Sequence, residues 1–231
     1  MRLTRAHVPV LLIVVAAGLG THIDATSADP ADHSIRQFLA QDDTQPPYRA
    51  TRRIEAENGT RSGWLEAVTE YSPENGFTYE VTREGGSDSI RSKVLRAVLE
   101  GEQETIARGE TERSSLCRAN YAFQSGGIDE SGLANIILSP RRKERMLVAG
   151  TMFLQPGDGR LVRLQGQLAK SPSFWIKNVD IVRSYDRIAG VVVPIALEAT
   201  AQMRFLGSAT LRMTYVYSEI DGHAVGPSST P

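Results

Sequence analysis

Asp180, Asp186 and Glu198 stand on predicted strands and are the residues best suited to chemistry in this chain. Two carboxylates can hydrolyse a glycosidic bond, one as acid and one as base or nucleophile, so a secreted carboxylate hydrolase is one reading. The plainer reading places these acids on a solvated strand face. Other catalytic spacings are missing from the sequence: there is no G-x-S-x-G, S-x-x-K, H-E-x-x-H, G-x-x-x-x-G-K-[ST] or G-x-G-x-x-G. His7, His22, His33 and His223 all lie toward the ends, and 34–222 contains no histidine. That removes the commonest general base and metal ligand from the folded body. Cys117 is the single cysteine, which excludes an internal disulfide, a CxxC pair and a cysteine-rich zinc site. No catalytic residue, metal site or cofactor is therefore expected, and the protein reads as a non-enzyme.

The remaining candidates bind rather than react. Arg141, Arg142, Lys143 and Arg145 form the densest basic cluster. It follows a Ser-Pro turn, so it is either a solvated turn or a place of transient contact with a membrane surface or an acidic envelope protein. A formal net charge of −1 and a pI of about 6.4 argue against a nucleic-acid binder. Apolar and aromatic side chains gather on predicted helix and strand faces. Ile90, Val94, Leu95, Val98, Phe123, Trp175, Tyr185, Met213 and Tyr215 are the candidates for lining an apolar cavity, although ordinary core is the plainer reading of them.

The chain begins with an address. Arg2 and Arg5 precede an uncharged apolar run of 13 residues, Val8–Gly20, and Thr26-Ser27-Ala28 supplies small residues for cleavage. The run is too short to span a bilayer, which takes about 20 residues, so residues 1–28 read as a cleaved signal peptide. No cysteine follows it, so the mature protein is not expected to be a lipoprotein. Without those residues the formal charge is −2. A periplasmic location follows. Ser34–Ala40 can form a short helix. Three strands come next, about 48–57, 63–71 and 77–83, then a helix capped by Ser87 or Ser89 with a stripe from Ile90 to Leu99. The acidic segment 100–112 reads as a frayed loop or an exposed second helix. From Asn120 onward strand follows strand, and 208–217 alternates most cleanly. Residues 223–231 read as a disordered tail.

Short turns between successive strands imply an antiparallel meander, and about nine to ten strands must curl because strand twist accumulates. The expected fold class is α+β, mostly β: a curved antiparallel sheet, or half-open barrel, around one or two amphipathic helices, within a single domain over 29–222.

Gly150–Leu168, Pro172–Tyr185 and Gly190–Tyr217, with the order helix, three strands, helix, long strands, resemble the outer-membrane lipoprotein-sorting (LolA/LolB-like) superfamily. The resemblance implies a half-open barrel with helices as a lid over an apolar cavity, carrying lipid or lipoprotein acyl chains. It also implies a functional arginine, for which Arg52 and Arg53 are equally placed. Function then reads as an exported carrier for a lipophilic ligand. The alternatives are an envelope scaffold or assembly factor with a filled core, and the carboxylate hydrolase.

Overall fold

The computed structural model describes residues 30–41, 44–204 and 207–226. The signal-peptide expectation falls on residues outside this set. One antiparallel sheet dominates, with strands in the order β3-β2-β1-β10-β9-β8-β7-β6-β5-β4. The first three are β1 (Tyr48–Asn58), β2 (Arg61–Ser72) and β3 (Gly76–Gly86). After a helical crossover come β4 (Tyr121–Ile128), β5 (Ala134–Pro140), β6 (Val148–Leu154) and β7 (Leu161–Leu168). The long strands β8 (Ile176–Ile188), β9 (Val191–Met203) and β10 (Ser208–Ile220) complete the meander, and β10 returns to pair with β1. β3 and β4 are the two free edges, so the sheet is open, as the expected half-barrel requires.

Period-two alternation decides the faces. In β1, Tyr48, Ala50, Arg52, Ile54 and Ala56 are buried, while Arg49 and Thr51 between them are exposed. Each element of the concave face inherits this register across the sheet. Helix α1 (Pro30–Leu39) covers β4, β5 and β6 with Ala31 and Ile35, above Tyr121, Ile136, Leu138, Met152 and Leu154. Its C-terminal turn seats on the β6–β7 turn: Gln37 donates to the Gly157 carbonyl and Gln41 to that of Asp158 at 2.9 Å. Any side chain at Gly159 would press on the Phe38 amide at 2.7 Å.

Helix α2 runs over 88–107 and covers β1, β2 and β3. Its second turn, Arg91–Leu95, is π-helical. Ile90, Leu95 and Leu99 pack on Ile54, Leu65, Ala67, Phe77 and Met213. The acidic segment after Leu99 extends this helix to Ala107 and is neither a loop nor a separate helix. Ser87 takes the N-cap position, but its hydroxyl pairs with that of Ser89 at 3.1 Å and caps no amide. A short 3-10 turn, Thr111–Arg113, leads to β4.

Of the expected tail, 227–231 lie outside the described residues, while its first residues pair with the sheet. His223–Ala224 form β11, paired to β10 through Glu219–Ala224 and Ile220–His223. The ordered body thus passes residue 222.

Candidate ligand-binding face

The helices leave a gap. α1 lies over β4 to β6 and α2 over β1 to β3, while β7 to β10 form a floor between them. One row of the register crosses the whole concave face: Ile54, Met213, Leu197, Arg183, Leu164, Met152 and Ile136. The ends of the row are buried. Its middle, with neighbours Ile181, Ala199, Leu211, Tyr185 and Tyr215, is only half-buried. A half-exposed apolar strip flanked by two packed helices is what remains when no element covers it.

Two arginines sit on this face, and they differ in their company. Arg52 is 2% exposed and makes a bidentate ion pair with Glu102 of α2, at 2.5 and 3.0 Å. It also donates to the Tyr48 hydroxyl. Its guanidinium lies 4.9 Å from the Phe77 ring centre and 4.8 Å from that of Tyr215. Burial works against its charge, but the Glu102 carboxylate outweighs it and holds Arg52 firmly protonated. Arg53 points to the convex face, against Glu55 at 2.6 Å, Glu66 at 2.8 Å and the Trp64 ring at 4.6 Å. Between the two positions the resemblance left open, Arg52 alone joins strand to helix.

Arg183 lies further along the floor, between Leu164 and Leu197 of the neighbouring strands. Among the described residues no carboxylate comes within ion-pair distance of it. Tyr185, and beyond it Tyr215 and Glu102, favour its charged form against the cost of burial. Burial pushes the phenols of Tyr48, Tyr215 and Tyr217 up, so these remain neutral donors and acceptors at physiological pH. The face is thus apolar with one charge lacking a carboxylate partner.

The residues singled out for a cavity do not converge. Ile90, Leu95 and Met213 are buried in the packing beneath α2, with Val94, Val98 and Tyr215 at its margin. Phe123 and Tyr185 border the packing beneath α1. Trp175 is 61% exposed on the loop before β8 and belongs to neither cluster. Arg183 was not among the candidates, yet it shares a period-two face with Val179, Ile181 and Tyr185, and a charge in such a row is a readable signal.

The basic cluster is partly used internally. Arg141 Nε donates to the Arg118 carbonyl at 2.8 Å, and Arg142 bonds Asn120 and Glu144, both at 2.7 Å. Lys143 and Arg145 are exposed. Asp180 and Glu198 are diagonal neighbours on adjacent strands of the convex face, and Asp186 lies apart from them. Asp180 meets Gln167 at 2.8 Å, Glu198 faces Arg212 at 3.9 Å, and Asp186 lies near Arg160 at 3.7 Å, toward the other end of β8. No group of three or more metal-ligating side chains occurs among the described residues.

No protein-family model and no curated protein matches the chain. Solved structures do. A DUF1329 family protein from Desulfovibrio piger is similar with a TM-score of 0.38 at 8% identity, over 81% of this chain and 90% of that one. A LolA superfamily protein from Nitrosomonas europaea gives 0.37 at 11%, over 80% and 91%. The Pseudomonas aeruginosa MucA/MucB complex gives 0.24 at 10%, over 87% and 99%. These likenesses are loose, and function has to come from this chain's own residues.

Proposed function

We propose that the protein is an exported binding protein or carrier for a lipophilic ligand of the cell envelope, with the ligand's chain on the floor of β7 to β10 and its polar end at Arg183. The observation that carries this reading is the half-exposed apolar floor between two helix-covered ends, holding one charge with no carboxylate at ion-pair distance. Each methylene leaving water contributes about 0.8 kcal/mol, so a long acyl chain gains strongly from such a strip. No bond is made or broken, which fits a body with no histidine over 34–222. Export rests on the pattern of residues 1–28.

A second reading, an envelope scaffold on the same fold, draws support from the packing beneath α2. Leu95 and Leu99 are fully buried there, so that region is filled and not a cavity. Native mass spectrometry after mild extraction separates the two. Co-purifying lipid, or uptake of a fluorescent fatty acid, is expected for the carrier. Absence of both overturns it and leaves the scaffold.

A further inference from the structure

The meander sends its connections to two opposite ends, and charge is divided between them. One end carries the turns 73–75, 129–133, 155–160 and 221–222, with Glu74, Asp129, Glu130, Asp158 and Asp221 against Arg160 and Arg187, the latter ion-paired to Asp158 at 2.8 Å. The other end carries the loops 141–147 and 169–175 and the end of β9, with Arg141, Arg142, Lys143, Arg145, Lys170 and Arg204. The acid among them, Glu144, is ion-paired to Arg142 at 2.7 Å and Arg113 at 3.2 Å. The nearby crossover, with Glu110, Glu112, Arg113 and Arg118, is balanced. One rim is basic and the other acidic.

The basic rim also holds the two most exposed large hydrophobic side chains among the described residues, Phe174 at 71% and Trp175 at 61%. They meet edge to face at 5.6 Å. Their loop is built and braced. Arg204 donates from Nε to the Phe174 carbonyl at 2.7 Å and from its amide to the Trp175 carbonyl at 2.9 Å, and its guanidinium lies 5.1 Å from the Phe174 ring centre. Ser171 donates to the Lys177 carbonyl at 2.8 Å. Two aromatics exposed beside cations leave apolar area in water that a nonaqueous surface would cover.

We propose that this rim docks the protein on an anionic lipid bilayer, Phe174 and Trp175 entering the boundary between headgroups and acyl chains while the basic side chains meet acidic headgroups. Rings of this kind suit that boundary, and each cation near an anionic surface adds attraction. Two partly covered rings on a loop tip offer less than roughly 400 Å². A stable protein interface takes about 800 Å² from each partner, so a planar charged surface is the better fit. The inference stands on the rim alone and holds whether or not the concave face carries a ligand.

Cosedimentation of the mature chain with vesicles tests it. Binding is expected to vesicles of phosphatidylcholine with one quarter phosphatidylglycerol, to fall as salt rises, and to be much weaker to phosphatidylcholine alone. Phe174→Ser with Trp175→Ser should weaken binding at least tenfold. Both residues are exposed, and an unchanged circular-dichroism melt confirms the fold. Lys143→Gln with Arg145→Gln, also exposed, should weaken binding about fivefold per charge and flatten the salt dependence. Equal binding to both vesicle types, no binding to either, or wild-type binding by the aromatic double variant overturns the proposal.

Discussion

Arg52 of β1 and Glu102 of α2 form a two-pronged ion pair in the interior, with the arginine fully enclosed and the glutamate side chain 31% exposed. Among the polar bonds that tie this helix to the sheet, which include Gln103 to the Phe77 carbonyl and Arg91 and Arg96 to Glu84, it involves the most deeply buried side chain. Glu102→Gln leaves a buried cation without its counterion, which costs about 3 kcal/mol. For a chain of this size that lowers the melting temperature by roughly 6–12 °C. Replacing both residues by Met should recover part of the loss. Thermal melts of the single and double variants check this, and equal melting of Glu102→Gln and wild type would refute it.

Gly150 of β6 and Gly166 of β7 face each other in register, and their backbones approach too closely for any side chain. A methyl at Gly150 would strike the Gln165 carbonyl, and one at Gly166 the Ala149 carbonyl. Alanine at either position should cost at least about 2–3 kcal/mol by urea denaturation. Gly101 provides the contrast. It sits within α2, and a Cβ added there would meet nothing within 4 Å, so Gly101→Ala should stabilise by about 1 kcal/mol.

Asp158 in the β6–β7 turn accepts from the Arg160 amide at 3.0 Å and pairs with Arg187 at 2.8 Å. These partners hold its carboxyl below the usual range. A depressed carboxylate stabilises the fold above its unfolded value, near about 3.9, and loses that contribution as pH falls through the folded value. Asp158→Asn should therefore be less stable than wild type at neutral pH, with the gap closing under acid. Melting temperatures that differ by a constant amount across that range would contradict this.

Arg183 should select the polar end of a ligand. Wild type is expected to bind a long-chain fatty acid at least fivefold more tightly than the matching alcohol, and Arg183→Gln should lose the preference while keeping the alcohol. Displacement of a fluorescent fatty acid measures both. Equal binding of acid and alcohol by wild type removes Arg183 from the site. Failure of both to bind removes the carrier reading itself.

Much of the architecture was legible because alternation and turn residues act locally. The order of elements follows from Pro73-Glu74-Asn75-Gly76, Pro156-Gly157-Asp158-Gly159 and the clean alternation from Ser208 onward. The continuation of α2 to Ala107 is hard to read because Glu102 and the exposed Gln103, both bonded to the sheet, score as solvent-facing. Gln103 donates to the Phe77 carbonyl at 3.1 Å, so a polar side chain serves the packing. Trp175 was misplaced by one element: β8 starts at Ile176, and the aromatic pair precedes it in the loop. Which half of the sheet a helix covers depends on long-range packing that no local pattern records, and this separated the candidate residues into two clusters. Arg52 and Arg183 were both visible as charges within apolar alternation, and weighing such interruptions would have chosen Arg52 over Arg53.

The most direct measurement is photocrosslinking with a fatty acid carrying a diazirine along its chain, followed by peptide mapping. The account predicts labels on Ile181, Leu197, Ala199 and Leu211 of the floor, suppressed by excess unlabelled fatty acid. Labels confined to the convex Val182 and Val216, or labelling that excess fatty acid leaves unchanged, would contradict it.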